Sequence, residues 1–593
     1  MTNWIPPAAI FIFGACIIPF LTGKAKQVYL LLLPVLAFIN LLNMPEGTDW
    51  VFNFLGYEVI FGKVDKLSKV FGYIFVIMAF GGALFSLHLK EQQESVAGFL
   101  YAGGSLGVVF AGDFLSLFIF WEIMSVSSTY IVWSRRTKAA QDAGLRYILV
   151  HLLGGLFLLF GIIINASNSG SIEFGFIELN GLASYLILIG FAVNAAIPPL
   201  SAWLSDSYPE STVTGAVFLS AFTTKTAVYV LCRAFPGAEI LIWAGALMTI
   251  YGIIYAILEN DMRRVLAYSI INQVGFMVAG IGIGTELSIN GTASHAFAHI
   301  LYKALLFMSA GAVLYRTGKS KCTDLGGLYK TMPVTLIFCL VGAASISAFP
   351  LTGGFISKSM IISASGHEKM TVIWLLLNLA SAGVFLHAGI KFPYFVFFAK
   401  DSGLRPKEPP LNMLLAMGFF AFLCIFIGVF PGVLYRILPY PVEFVPYTAS
   451  HVINQLQILL FSALAFFTLL KFLQRTETIS LDTDWFYRKG SRAFLWFVDN
   501  PMSRFGHQMG KIFFYYILDS LIWFSRNPLA VLKMAADTMF LLVSDPDQRI
   551  EIKKRIEKEK EIYPGDIIKH WPIGSTVLYL TFFLLTCLLV YYL

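Results

Sequence analysis

Cysteine and charge are both scarce in this 593-residue chain. Its six cysteines, Cys16, Cys232, Cys322, Cys339, Cys424 and Cys587, are scattered with no C-x-x-C spacing. That excludes the usual frameworks for an iron–sulfur cluster or a structural zinc ion and leaves them as small apolar packing residues. Charged residues make up 13% against 57% hydrophobic, and mean hydropathy is +0.74, which excludes a soluble multidomain protein. No nucleotide loop, flavin fingerprint or H-E-x-x-H pattern occurs. No cofactor, no metal and no catalytic residue are therefore expected, and uphill work must draw on an ion gradient or a partner. The N-terminus lacks a basic n-region and a small-residue cleavage site, which reads as a retained first helix. A net charge of +7 reflects cytoplasmic loops, not a nucleic-acid surface.

What the chain has in abundance is apolar stretches long enough to cross a bilayer, about sixteen of them between residues 4–22 and 573–592. Loops after odd-numbered spans carry Lys24, Lys26, Lys90, Arg135, Arg136, Arg263, Arg264, Arg316, Arg405 and Lys407, so the positive-inside rule puts both termini outside. The expected organisation is N-terminal transmembrane helices over 1–110, a translocating core over 111–430 and a further transmembrane region over 431–475. A lateral amphipathic segment on the cytoplasmic side over 476–570 and a final transmembrane helix over 571–593 complete it. Within 476–570, Asp519, Arg526, Lys533 and Asp537 cut every apolar run short of a span. Asn527-Pro528 opens a new segment there, and Arg549 to Glu561 reads as a solvated, i,i+4-paired helix.

Pro199-Leu-Ser-Ala-Trp-Leu-Ser-Asp206 and Pro350-Leu-Thr-Gly-Gly-Phe-Ile-Ser-Lys358 recur about 150 residues apart, as discontinuous helices do in an internally repeated transporter. The plainer reading is two proline-ended helices followed by capping serines. The fold class expected is an all-α polytopic membrane protein with two pseudo-symmetric repeats, broken helices and the C-terminal lateral segment.

Ionisable residues inside spans carry the functional argument, because each costs about 2.5–3.5 kcal/mol to insert and tends to face a bundle interior and do work. Glu122 sits in Phe118-Ile-Phe-Trp-Glu-Ile-Met124, whereas Asp113 begins that helix and reads as its N-cap. Lys225 lies some fifteen residues into its span, too deep for easy snorkelling. His295, His299 and Lys303 fall at i, i+4 and i+8 on one helical face, the ladder a proton relay needs. His151 reads as a hydrogen-bonded packing residue. His387 and Lys391 are again i,i+4 partners; Lys400 is equally explained as an interfacial anchor, and Lys358 falls just past the Pro350 break. The proton-translocation candidates are thus Glu122, Lys225, His295, His299, Lys303, Lys358, Lys391 and Lys400.

These motifs resemble those of the antiporter-like membrane subunit family shared by respiratory complex I, the Mrp-type sodium/proton antiporters and the membrane-bound hydrogenases. Phe120-Trp-Glu-Ile-Met-Ser125 resembles its F-W-E-x-M-S helix, and Leu219 to Tyr229 its S-A-L-L-T-K-x-x-x-Y helix. His295 to Phe307 resembles its H-x-x-x-H-x-x-x-K-A-L-L-F helix, and Pro350 to Lys358 its P-x-x-G-F-x-S-K break. The core is nearer the Mrp D type, while the C-terminal extension resembles that of the largest complex I antiporter-like subunit.

The resemblance implies two half-channels joined by a hydrophilic axis. Glu122 would tune the channel lysine, Lys225 and Lys303 would be the central lysines, and Lys400 the terminal one. It also implies partner membrane subunits, protons and sodium as the ions moved, and a bacterial or archaeal plasma membrane as the location. One departure stands out: where the family's K-x-x-x-x-P-L helix supplies a lysine to pair with the glutamate, this chain has Asn194. Lys225 or His151 then takes over, or the first half conducts without a switching pair, or only the second half is used. The main functional reading is Mrp-type cation/proton antiport. The alternatives are a membrane-arm pump of a complex I-like or hydrogenase-like enzyme, and a docking subunit with a degenerate channel.

Overall fold

The structure, a computed structural model, describes residues 4–473, 475–476, 482–565 and 573–592. It comprises two units, one ending at Asp484 and the other beginning at Trp485. Every apolar stretch read as a span is helical. Among the described residues, twelve helices are long and apolar enough to cross a membrane, and Pro7–Phe20, Leu182–Asn194 and Pro333–Ile346 are shorter apolar helices. Gln93–Phe110 is a further helix, rich in glycine and alanine. The chain is therefore a mostly helical, multi-pass membrane protein.

One element was not anticipated: the stretch between the second and third spans forms an antiparallel hairpin, Gly47–Phe54 with Tyr57–Val64. Leu55 and Gly56 both take positive φ, 52° and 81°, the combination a two-residue hairpin turn requires. Leu-Gly is a weak turn signal beside Asn-Gly, so the sequence did not announce it. The hairpin docks on the start of the Phe114–Trp133 helix, where Ile60 N–H donates to Asp113 Oδ2 at 2.6 Å. Asp113 caps that helix by accepting from Leu115 and Ser116 N–H, a contact worth about 1 kcal/mol.

The repeat extends well beyond the two proline breaks, at a constant offset of 148 residues over two long stretches. Asp113 and Asp261 both cap the helix that follows, and both bridge an antiparallel partner, Glu173 and Lys321. Phe114 N–H donates to Ile172 C=O as Met262 N–H does to Ser320 C=O. Lys138–Ser169 and Glu286–Thr317 are each 32 residues long, each capped by a threonine and each closed by a left-handed glycine. At the breaks the offset becomes 152. Ala196 and Ala348 take φ of 58° and 57°, and Ile197 and Phe349 reach back to Ala192 and Ala344 carbonyls. The first repeat therefore runs from Gln93–Phe110 to Thr223–Ala234 and the second from Glu239–Leu258 to Thr371–Phe398. Each repeat contains five helical stretches, the fourth of them broken.

Small residues bring neighbouring helices close enough to fix this bundle. A Cβ on Gly245 would stand 2.3 Å from Ala279 N and one on Gly252 2.6 Å from Asn272 N, so Glu239–Leu258 and Met262–Ile283 pack backbone to backbone. The innermost spans are Gly215–Ala234, Met262–Ile283 and Glu286–Thr317, which are 94%, 100% and 94% buried, whereas Gly23–Leu42 is 33%. Lys225, His295, His299 and Lys303 all lie on these shielded helices.

In the second unit, the helix that ends at Phe497 is followed by Ser503–Lys511 and Leu518–Arg526 through π-helical turns, and these helices bury no residue. Asn527 then caps Pro528–Val543 by accepting from Ala530 N–H at 3.1 Å, as the Asn-Pro pair predicts. That helix packs against Pro546–Ile562, and charges expected to pair along the latter also pair across: Lys533 with Glu559 at 3.6 Å and Arg555 with Asp537 at 3.4 Å.

Candidate functional site

Three lysines share one local arrangement, each donating to carbonyls at the C-terminal end of a helix. The last carbonyls of a helix have no intrahelical donor, and its dipole places negative charge there. Lys225 follows the interruption between Gly215–Leu219 and Thr223–Ala234, and its Nζ donates to Ser220 C=O at 2.6 Å and Thr224 Oγ1 at 3.0 Å. Lys358 follows the break after Pro333–Ile346, and its Nζ donates to Ile346 C=O at 3.0 Å while lying 5.2 Å from the centre of the Phe276 ring. Lys391 closes the π-helical turn Phe385–Lys391 and donates to Ala256, Ile257 and Glu259 carbonyls at 2.7, 2.8 and 2.6 Å.

Lys303 is held differently, by Ser269 Oγ at 2.9 Å and Leu266 C=O at 3.4 Å. Above it on the same helix, His295 Nδ1 lies 3.0 Å from Ser357 Oγ, and its Nε2 lies 3.5 Å from the Tyr302 hydroxyl, which donates to Gln273 Oε1 at 2.9 Å. His299 is fully buried, and neither ring nitrogen has a hydrogen-bond partner among the described residues. Ser357 thus joins the histidine ladder to the broken helix that carries Lys358.

These groups form a run of buried ionisable side chains: Lys225, His295, His299, Lys303 and His387 are fully buried, and Lys358 and Lys391 nearly so. Lys225, Lys303 and Lys358 hold only neutral oxygen acceptors. Both an ammonium and an amine can donate to such acceptors, so the contacts survive a change of protonation.

Glu122 stands apart from this run. Its Oε1 is buried without a hydrogen-bond partner among the described residues, and it lies against Gly155. Asn194 is fully buried and neither its amide oxygen nor its nitrogen has a partner among the described residues. Neither group expected to replace the missing lysine turns to Glu122: Lys225 is committed to Ser220 and Thr224, and His151 Nδ1 to Tyr147 C=O at 2.9 Å. His151 also stacks on Tyr147 and packs edge-on to Trp203, consistent with packing. Nearby, the Tyr101 and Thr223 hydroxyls lie 2.6 Å apart, and Tyr147 donates to Ser128 Oγ at 2.9 Å.

Lys400 is exposed beyond the end of its span and is not among the buried groups. Its neighbour Asp401 binds Arg405 Nη2 at 2.7 Å and Lys330 Nζ at 2.8 Å. Those two cations, with the Gly403 N–H, hold its carboxyl well below the usual carboxylate range. Sequence reasoning missed Ser357, Tyr302 and Gln273, because hydroxyl and amide residues in a span carry no signal until their partners are known. It also missed Gly155, whose repeat-related position at the 148-residue offset is Lys303.

Two five-helix repeats, broken helices and a buried run of lysines and histidines are features expected where ions pass through a bundle interior. Residues 111–384 match the family described as NADH:quinone oxidoreductase/Mrp antiporter, TM.

Among its relatives are a probable K(+)/H(+) antiporter subunit of Rhizobium meliloti, 27% identical over 62% of this chain and 40% of that one, and a Na(+)/H(+) antiporter subunit of Alkalihalophilus pseudofirmus, 27% identical over 71% and 60%. This chain therefore spans less than two thirds of the length of either. The fold is that of a chain in the Mrp complex of Dietzia, with a TM-score of 0.64, 19% identity and coverage of 73% of this chain and 96% of that one. It is also that of a chain in the archaeal membrane-bound sulfane sulfur reductase, with a TM-score of 0.68, 22% identity and coverage of 91% and 99%.

Proposed function

We propose that this chain is a proton-translocating subunit of a multisubunit complex in a bacterial or archaeal plasma membrane. Its ions move along Lys225, the His295–His299–Lys303 ladder, Lys358, and Lys391 with His387. The observation that carries the reading is the burial of so many ionisable side chains inside one bundle, with Lys225, His295, His299, Lys303 and His387 fully buried and Lys303 and His295 held by Ser269 and Ser357. Protonating one group raises the cost of a charge on the next, so a proton entering at one end favours release at the other. The domain boundaries at 110, 430, 475 and 570 belong to the same reading, with the translocating core between the first two. Glu122 has a secondary part in it, because among the described residues no cation pairs with its carboxylate.

Mrp-type cation/proton antiport is the first form of this function, in keeping with the antiporter subunits among the relatives. The second form, a pump driven by a redox module in other chains, is favoured by one observation: similarity to the sulfane sulfur reductase chain runs over 91% of this chain, and to the Mrp chain over 73%. Extraction of the intact complex in mild detergent followed by mass spectrometry separates the two. Small hydrophobic partners alone support antiport, while iron–sulfur, nickel or flavin subunits support the redox-driven form. A chain that purifies without partners contradicts both.

A further inference from the structure

Lys391 does not hold its carbonyls alone. Arg475, beyond the Ala449–Thr468 helix, directs Nη1 to Ile257 C=O at 3.0 Å and Glu259 C=O at 3.2 Å, two of the three oxygens that Lys391 binds. Its guanidinium also lies 5.2 Å from the centre of the Phe395 ring, one turn after Lys391, and its Nε and Nη2 hold Leu473 C=O. A carbonyl has two lone pairs and can accept from both, but two cations on the same two acceptors repel each other. A lysine needed only to cap the Glu239–Leu258 helix would not require the second cation.

We propose that Arg475 is a positioning residue for Lys391: it keeps the shared carbonyls satisfied so that the lysine can leave them. The inference rests on reading Lys391 as a member of the proton path. His387 lies one turn before Lys391 in the same π-helical segment, the irregular backbone in which functional side chains often move. When Lys391 turns inward, Arg475 still holds Ile257 and Glu259 carbonyls, and only Ala256 C=O is released. Without Arg475 the same movement would strip donors from all three, which a membrane interior penalises heavily.

Asp482 also contacts the second repeat: its carboxylate accepts from Tyr268 Oη at 2.6 Å and from the Tyr251 hydroxyl, tyrosines of Met262–Ile283 and Glu239–Leu258.

The test is proton transport by the intact complex in inverted membrane vesicles, normalised to the amount of assembled complex. Arg475→Gln is expected to lower transport more than about tenfold, and Arg475→Lys, which returns a donor cation, to recover most of it. Phe395→Leu, which loosens the guanidinium without removing its charge, is expected to lower transport roughly threefold and keeps the test usable should Arg475→Gln fail to assemble. Wild-type transport in Arg475→Gln, or no recovery in Arg475→Lys, overturns the inference. If Lys303→Ala abolishes transport in those same vesicles, the proton path itself stands and only the role of Arg475 falls. A wild-type complex that moves no protons removes both.

Discussion

Glu122 Oε1 rests on the bare backbone of Gly155, so closely that a Cβ there would stand 2.3 Å from it. In the repeat, Gly155 occupies the position of Lys303. The first half therefore has a glycine with the Glu122 carboxylate folded over it where the second half has Lys303. The two halves share a backbone plan and differ in what fills its centre.

Gly155→Ala is expected to push the Glu122 carboxylate aside at a cost of about 1 kcal/mol, since the atom displaced is the end of a flexible side chain. If Glu122 serves transport through this position, Gly155→Ala and Glu122→Gln will each lower it, and the double variant will be no worse than the more impaired single one. Additive losses in vesicle transport would mean that the two act separately.

Arg263 is a buried guanidinium that organises a loop. It donates to Pro209 and Ser211 carbonyls at 2.8 and 3.0 Å through Nη1, and to Tyr208 and Thr212 carbonyls at 3.3 and 2.8 Å through Nη2. Replacing it with glutamine should destabilise the chain by about 3 kcal/mol. Lysine should rescue little, because one ammonium cannot span four carbonyls. The readout is the melting temperature of the purified complex; an Arg263→Lys variant as stable as wild type would contradict the assignment.

Asp401 gives a pH dependence with a definite sign. Its carboxyl is held below the usual range by Arg405 and Lys330. Its stabilising contribution is therefore complete above the unfolded value of about 3.9 and fades only as pH falls through the lower folded value. Hydrogen exchange corrected for intrinsic rate should show residues 326–330 better protected in wild type than in Asp401→Asn at pH 7 and still at pH 4. Loss of the difference by pH 4 would show that the cations do not hold it.

Much of this was legible in the sequence, for reasons that particular residues make clear. Spans declare themselves because bilayer thickness demands long apolar runs, and the His295–His299–Lys303 ladder declares itself because 3.6 residues per turn puts i, i+4 and i+8 on one face. The repeat was visible at the proline breaks, but the matching caps at Asp113 and Asp261 were not, since a capping aspartate looks the same in any helix. The acceptors of Lys391 lie more than 130 residues away in sequence, beyond any local pattern. In the sequence Lys391 is the better intramembrane candidate and Lys400 is equally explained as an interfacial anchor; the structure encloses Lys391 among carbonyls and leaves Lys400 exposed.

The central claim is that protons cross through the buried run whose middle is Lys303. The most direct measurement is proton uptake by vesicles carrying the intact complex, wild type against Lys303→Ala, with equal assembled complex in each. The account predicts that the variant loses proton movement, by about a hundredfold or more. Uptake at the wild-type rate would contradict it.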